Sequence, residues 1–248
     1  MAGRLLEICI DSVLSSITAE TGGADRVELC DNLMEGGTTP SAGMISLVRE
    51  KITIGLQVMI RPRGGDFLYT DEEYEVMKRD IQTAKELGAD GVVFGLLRPD
   101  GAIDKKRCNE LIRLARPMSI TFHRAFDMVK NPEQSLEDLI ELGVDRLLTS
   151  GLHATVICGK RVIKQLVDQS DGRIEVMAGG GVRLHNIQEL VDETGVEQIH
   201  ASGRKTQESD MIFRNDKVQM GIIDNQEYSV KVGDVDLIKA FRKQLSSI

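Results

Sequence analysis

One motif recurs four times along this chain and limits what the chain can become. "AETGGADRVELC" (19–30), "KELGADGVVFG" (85–95), "IELGVDRLLTSG" (140–151) and "DETGVEQIHASG" (192–203) follow one logic. Each has an acidic helix tail, a glycine, one small or branched residue, an acidic residue, and then a short strand-like run. The glycine suits the left-handed residue that ends a helix, and the strand begins two or three positions later. Four further apolar runs, "LLEICI" (5–10), "GLQVMI" (55–60), "MSITF" (118–122) and "RIEVMA" (173–178), bring the strand candidates to eight. Helical patterns separate them. In "DEEYEVMKRDIQTAKEL", for example, Tyr74, Met77, Ile81, Ala84 and Leu87 fall at helical spacing. Strand and helix thus alternate eight times over 248 residues, which predicts an α/β fold, a (β/α)8 TIM barrel forming one domain over 1–248. An open doubly wound sheet is the runner-up, but no G-x-G-x-x-G follows the first strand. The segment 203–233 reads as an irregular insertion before the last helix.

Strand side chains alternate between faces, so the polar face of each run identifies the barrel interior. In "LEICID" Glu7, Cys9 and Asp11 oppose Ile8 and Ile10; in "RVELC" Glu28 and Cys30 oppose Val27 and Leu29. The wholly apolar face must meet the helices. Glu7, Cys9, Glu28 and Cys30 are therefore expected in the lumen, with Met59, Arg61, Thr121, His123, Glu175, Met177, His200 and Ser202. Barrel interiors are usually filled by Val, Ile and Leu, and charges are costly to bury unpaired. The plainest reading is a closed network in which Arg61 and Arg63 neutralise Glu7 and Glu28. The functional reading is a site.

Three loops favour a site. "TFHRAFD" (121–127) puts His123 at the end of the fifth strand, on the C-terminal rim where barrel active sites form. Asp127 follows, placed to orient a side chain or to cap the helix at Pro132. "MAGGGVRLHN" (177–186) and "HASGRK" (200–205) lie where barrels often hold a phosphate, with Gly180, Gly181 and Ser202 as candidates. "RPRGGDFLYT" (61–70) reads as a substrate-covering loop, with Arg61 and Arg63 as anion clamps. A small phosphorylated or anionic metabolite fits these features, with Glu7 or Glu28 as general base and His123 as acid or polariser.

Composition removes other classes. The net charge of −8 and the lack of a basic run argue against nucleic acid. No apolar run approaches a membrane span, and the N-terminal run is too short for a signal peptide. The four cysteines are widely spread without a C-x-x-C, which predicts free thiols in a reducing cytoplasm.

"EICIDSV", "GGADRVELC", "EGGTTPSAG", "VMIRPRGGDFLYTDEE", "GADGVVFGLL", "DGAIDKKRC", "TFHRAFDM", "GVDRLLTSG" and "GGGV" closely resemble the CutC family, the copper homeostasis proteins. The likeness continues through "FRND" and "EYSVKV" to cover nearly the whole chain, and is strongest to the animal members. It implies a cytoplasmic TIM barrel, a homo-oligomer (dimer or tetramer), and a role in copper uptake, storage or delivery with Cu(I) held by cysteines. The family's copper cysteines match Cys9 in "EICIDS" and Cys30 in "VELC". Cys108 matches a family cysteine on a helix, a packing position, and Cys158 matches none. The family's "FHCSA" and "MPGGG" read "IHASG" and "MAGGG" here, so Ala201 and Ala178 replace a cysteine and a proline. Thiolate is soft and suits Cu(I), and strands about 4.8 Å apart let two sulfurs reach one ion, with Met59 or His123 as a third contact. The competing account is two small thiols filling a barrel.

Overall fold

The structure is a computed structural model that describes residues 3–215, 217–220 and 227–248. Eight parallel strands close into a barrel: β1 (Leu5–Ile10), β2 (Arg26–Leu29), β3 (Gly55–Met59), β4 (Gly91–Phe94), β5 (Ser119–Phe122), β6 (Arg146–Thr149), β7 (Glu175–Gly179) and β8 (Gln198–Ala201), with β8 pairing back onto β1. The outer ring is α1 (Val13–Thr21), α2 (Ala42–Lys51), α3 (Asp71–Glu86), α4 (Lys105–Ala115), α5 (Pro132–Glu141), α6 (Val156–Ser170), α7 (Ile187–Thr194) and α8 (Val235–Ser247). This is the TIM barrel that the alternation predicts. No helix among the described residues is long and apolar enough to cross a membrane.

The recurring motif does more than end helices. Its glycines Gly23, Gly88, Gly143 and Gly195 all have positive φ, between 72° and 86°. The acidic residue that follows bridges three strands. Asp25 accepts from the Leu6 N–H of β1 through its carboxylate (2.6 Å) and from the Gly55 N–H of β3 through its carbonyl. Asp90 repeats this with Leu56 (2.8 Å) and Ser119, and Asp145 with Ile120 (2.7 Å) and Glu175. Each carboxylate also meets an arginine: Arg242, Arg49 and Arg116 respectively. In the fourth copy Glu197 keeps the main-chain half, its carbonyl accepting from Leu5 N–H where the barrel closes. The motif thus satisfies strand N–H groups at the barrel's N-terminal end, which would otherwise be unpaired.

Strand alternation separates two apolar clusters. Ile8, Ile10, Val27, Leu29, Val58, Val92, Phe94, Ile120 and Phe122 belong to the large core between barrel and helices. Cys9, Cys30, Met59 and Val93 form a separate cluster in the lumen. Within the 203–233 segment β9 (Arg204–Glu208) pairs antiparallel with β10 (Ser229–Gly233). Residues 216 and 221–226 of it, with the last residue of "FRND", lie outside the described residues.

Candidate functional site

Cys9 of β1 lies in register with Glu28 of β2, and Cys30 follows Glu28 by two residues on the same face. That register brings the Cys9 and Cys30 sulfurs to 4.0 Å, with Cys30 Sγ also 3.5 Å from Glu28 Oε2. Cys9 is 8% exposed and Cys30 1%. A hydrogen bond from Cys30 pulls the Cys9 thiol down to about 5 against the effect of burial, with His200 assisting. The same bond, burial, and the charges of Cys9 and Glu28 push Cys30 well above the ordinary thiol range. The contact thus favours ionising Cys9 before Cys30. Ligand atoms of Cys9, Glu28 and Cys30 all lie within 4.8 Å of one another, and so do those of Glu7, Glu28 and His200.

An alternating row of charges runs beneath the sulfurs. The Arg26 Nε–H donates to Glu7 Oε2, and Arg26 Nη2 reaches Gln198 Oε1 (2.7 Å) and Met177 Sδ (3.2 Å). Glu7 Oε1 is 2.8 Å from His200 Nδ1, and His200 Nε2 is 3.7 Å from Glu28 Oε2. Burial alone would raise the Glu7 carboxyl, but Arg26 and then His200 hold it down to about 2. Burial would also lower His200, yet Glu28, Cys9 and Glu7 push it well above the imidazole range. Glu28 is pushed up by burial, with His200 only partly offsetting that and the charges of Cys9 and Glu7 adding to it. Along the row the Arg26 cation stands against Glu7, and His200 stands between the carboxyl groups of Glu7 and Glu28.

Arg61 and Arg63 do not neutralise Glu7 and Glu28, contrary to the closed network considered from the sequence. Arg26, two residues before Glu28 on the same face, is the cation instead. Arg61 holds the loop: its Nη1 donates to the carbonyls of Glu35 (2.7 Å) and Gly37 (2.9 Å), and its Nη2 to that of Gly65 (2.8 Å). Arg63 pairs with Glu73 (2.6 Å) and Asp66 (3.1 Å) outside the mouth.

In "TFHRAFD", His123 ends β5 and its Nδ1 accepts from the Ala125 N–H (3.2 Å). The ring lies 4.9 Å from the ring of Phe67, and the Arg61 guanidinium stands 5.1 Å over that same Phe67 ring. Burial, then the charge of Arg61, drives His123 down to about 3. Asp127 caps no helix: Asn131 caps α5, its side chain accepting from the Gln134 N–H. Instead Asp127 accepts from Arg124 Nε (2.7 Å), Thr149 Oγ1 (2.5 Å) and the N–H groups of Ser150 and Leu152, fixing the turn after β6.

A cavity of 460 Å³ opens at the C-terminal mouth. Of the residues expected at a site, it is lined by Cys9, Glu28, Arg61, His123, Gly180, Gly181 and Ser202, together with His200. Glu7 and Cys30 lie behind this wall, and Arg63 stands apart. Gly180 and Gly181 have φ of 107° and 80°, and a Cβ on Gly180 would sit 3.3 Å from Arg124 Nη1. Arg26 had no role assigned from the sequence, although its parity with Glu28 was readable. Cys108 packs fully buried on α4, and Cys158 lies exposed on α6.

The chain as a whole is similar to known proteins. Residues 4–205 match the model of the CutC family. The mouse copper homeostasis protein cutC homolog is 52% identical over 96% of this chain and 88% of its own length. The human homolog is also 52% identical, over 96% of this chain and 87% of its own length. The crystal structure of a Streptococcus agalactiae protein described as copper homeostasis protein CutC superposes with a TM-score of 0.75 at 39% identity, covering 79% of this chain and 97% of that one. With the barrel, the "TFHRAFD" rim and the paired thiols in place, this chain belongs to the CutC family.

Proposed function

We propose that this chain handles copper by holding one Cu(I) between Cys9 and Cys30 at the floor of the barrel mouth. The observation that carries this reading is the 4.0 Å separation of two buried sulfurs on adjacent strands. Metal–thiolate bonds of about 2.3 Å, the length found at zinc sites, span up to about 4.6 Å when linear and meet near 120° at the separation seen here. A trigonal site wants a third soft donor. Met59 packs in the same cluster as both thiols. Copper here is cargo, and a reducing cytoplasm would keep both thiols available. The lowered Cys9 thiol favours its own ionisation, so the thiolate a metal needs forms there first.

The test is competition for Cu(I) against a chelator under anaerobic, reducing conditions. Wild-type protein should take up one tightly held ion per chain, and Cys9→Ser/Cys30→Ser should take up none. Equal affinity in the two proteins would falsify the reading.

A further inference from the structure

Copper carriage leaves most of the mouth cavity without a role. An ion between two sulfurs needs only the Cys9 end, while 460 Å³ falls within the range of small-molecule pockets, about 300–1,000 Å³. Two side chains on its wall are built but unfinished. Arg61 is 5% exposed, and its guanidinium hydrogen bonds go to main-chain carbonyls rather than to a carboxylate. Its Nη atoms are engaged by three carbonyls, and its Nε makes no hydrogen bond, with the likewise unbonded Tyr69 hydroxyl the polar neighbour of the guanidinium. Phe67 beneath the guanidinium is a weak substitute for a counter-anion.

His123 is 4% exposed and equally incomplete. Because Nδ1 accepts from Ala125, Nε2 carries the ring proton, and that N–H is also unpartnered. A buried donor without an acceptor is costly, and a buried cation without an anion more so. The acidic residues of the outer wall do not fill these needs. Glu35 gives its carboxylate to Asn32 Nδ2 (3.0 Å), and Asp127 is held by Arg124, Thr149 and Ser150.

From this geometry we infer that the cavity is a binding site for a small organic anion, a carboxylate or phosphate monoester whose oxygens accept from Arg61 and His123. Its carbon skeleton would lie against Phe67, Leu148 and Val182, and the glycine turn at Gly180 would bring Arg124 to the rim. The anion would occupy the Arg61 end of the cavity whose other end Cys9 lines, and its binding does not need copper.

The full chain is titrated by calorimetry with three probes: lactate, glycerol phosphate and inorganic phosphate. At least one organic probe should bind one per chain, and the pair separates a carboxylate preference from a phosphate-ester preference. Arg61→Met should weaken that binding about tenfold or more. His123→Phe keeps a ring against Phe67 but removes the N–H, so it should weaken binding several-fold and reads the site even if Arg61→Met does not fold. Cys158→Ser, exposed on α6 and away from the mouth, should bind as wild type. The inference is overturned if neither organic probe binds at millimolar concentration, if inorganic phosphate binds as tightly as both, or if His123→Phe leaves the affinity unchanged.

Discussion

At the scale of single residues, two histidines of one barrel are set in opposite directions. His123 is held down to about 3 by burial and the neighbouring Arg61, so it is a neutral donor throughout the physiological range. His200, on the far side of the thiols, is held protonated by the charges around it. Nitrogen NMR of the imidazoles should therefore show His123 as the Nε2–H tautomer, unchanged between pH about 5 and 8, while His200 stays protonated above about 6.5. A His123 ring that titrates near 6.5 would contradict the structure. The folded-state pKa of His123 lies below its unfolded value, so its contribution to stability is complete above about 6.5. It is lost as pH falls from there toward 3, at up to about 1.4 kcal/mol per unit. His123→Phe should flatten that part of the acid limb in thermal melts. At the thiols, Met59→Leu preserves the packing and removes one soft donor. Cu(I) affinity should fall without vanishing, and X-ray absorption should count one fewer sulfur.

At the scale of elements, the four-fold motif shows what is readable in a sequence and what is not. Its glycine, its strand and its inward-facing polar positions follow from local rules, and the eight strands appear where those rules put them. The partners do not follow, because stagger between strands decides which lumenal side chains meet. That is why Glu7 meets Arg26 and His200 rather than Arg61, and why Arg61 is engaged by loop carbonyls that no strand pattern reveals. The acidic residue of the motif was visible as a repeat, but its task of joining three strands is a tertiary fact. Asp90→Ala should remove bonds to Leu56 N–H and Arg49 and lower the unfolding free energy by about 1–2 kcal/mol in urea melts. Glu197 contributes through its carbonyl, so Glu197→Ala should change stability by less than about 0.5 kcal/mol. Equal losses in the two variants would mean that the side-chain bonds carry no weight.

At the scale of the whole molecule, the barrel buries a row of charged side chains in its lumen, and one residue anchors that row. Arg26 is the positive end of the row, buried against Glu7 and tied across the barrel to Gln198 and Met177. Remove it, and Glu7 is a buried carboxylate with only His200 beside it. Arg26→Met should cost about 3–5 kcal/mol at neutral pH, the usual penalty for stranding one partner of a buried pair. The pH dependence identifies the cause. With a folded pKa of about 2 against an ordinary 4.5, Glu7 gives wild-type protein a stability that is present above 4.5 and lost as pH falls toward 2. In Arg26→Met, burial governs Glu7 and its pKa rises, so the variant should have little of that contribution left to lose. The gap between the two proteins, read from denaturant melts, should therefore be widest near neutrality and close through the acid range. Glu7→Gln/Arg26→Met has no charge to strand and should recover much of the loss. A gap independent of pH would mean that Arg26 acts by filling space, and that the lumen is held together by packing rather than by its row of charges.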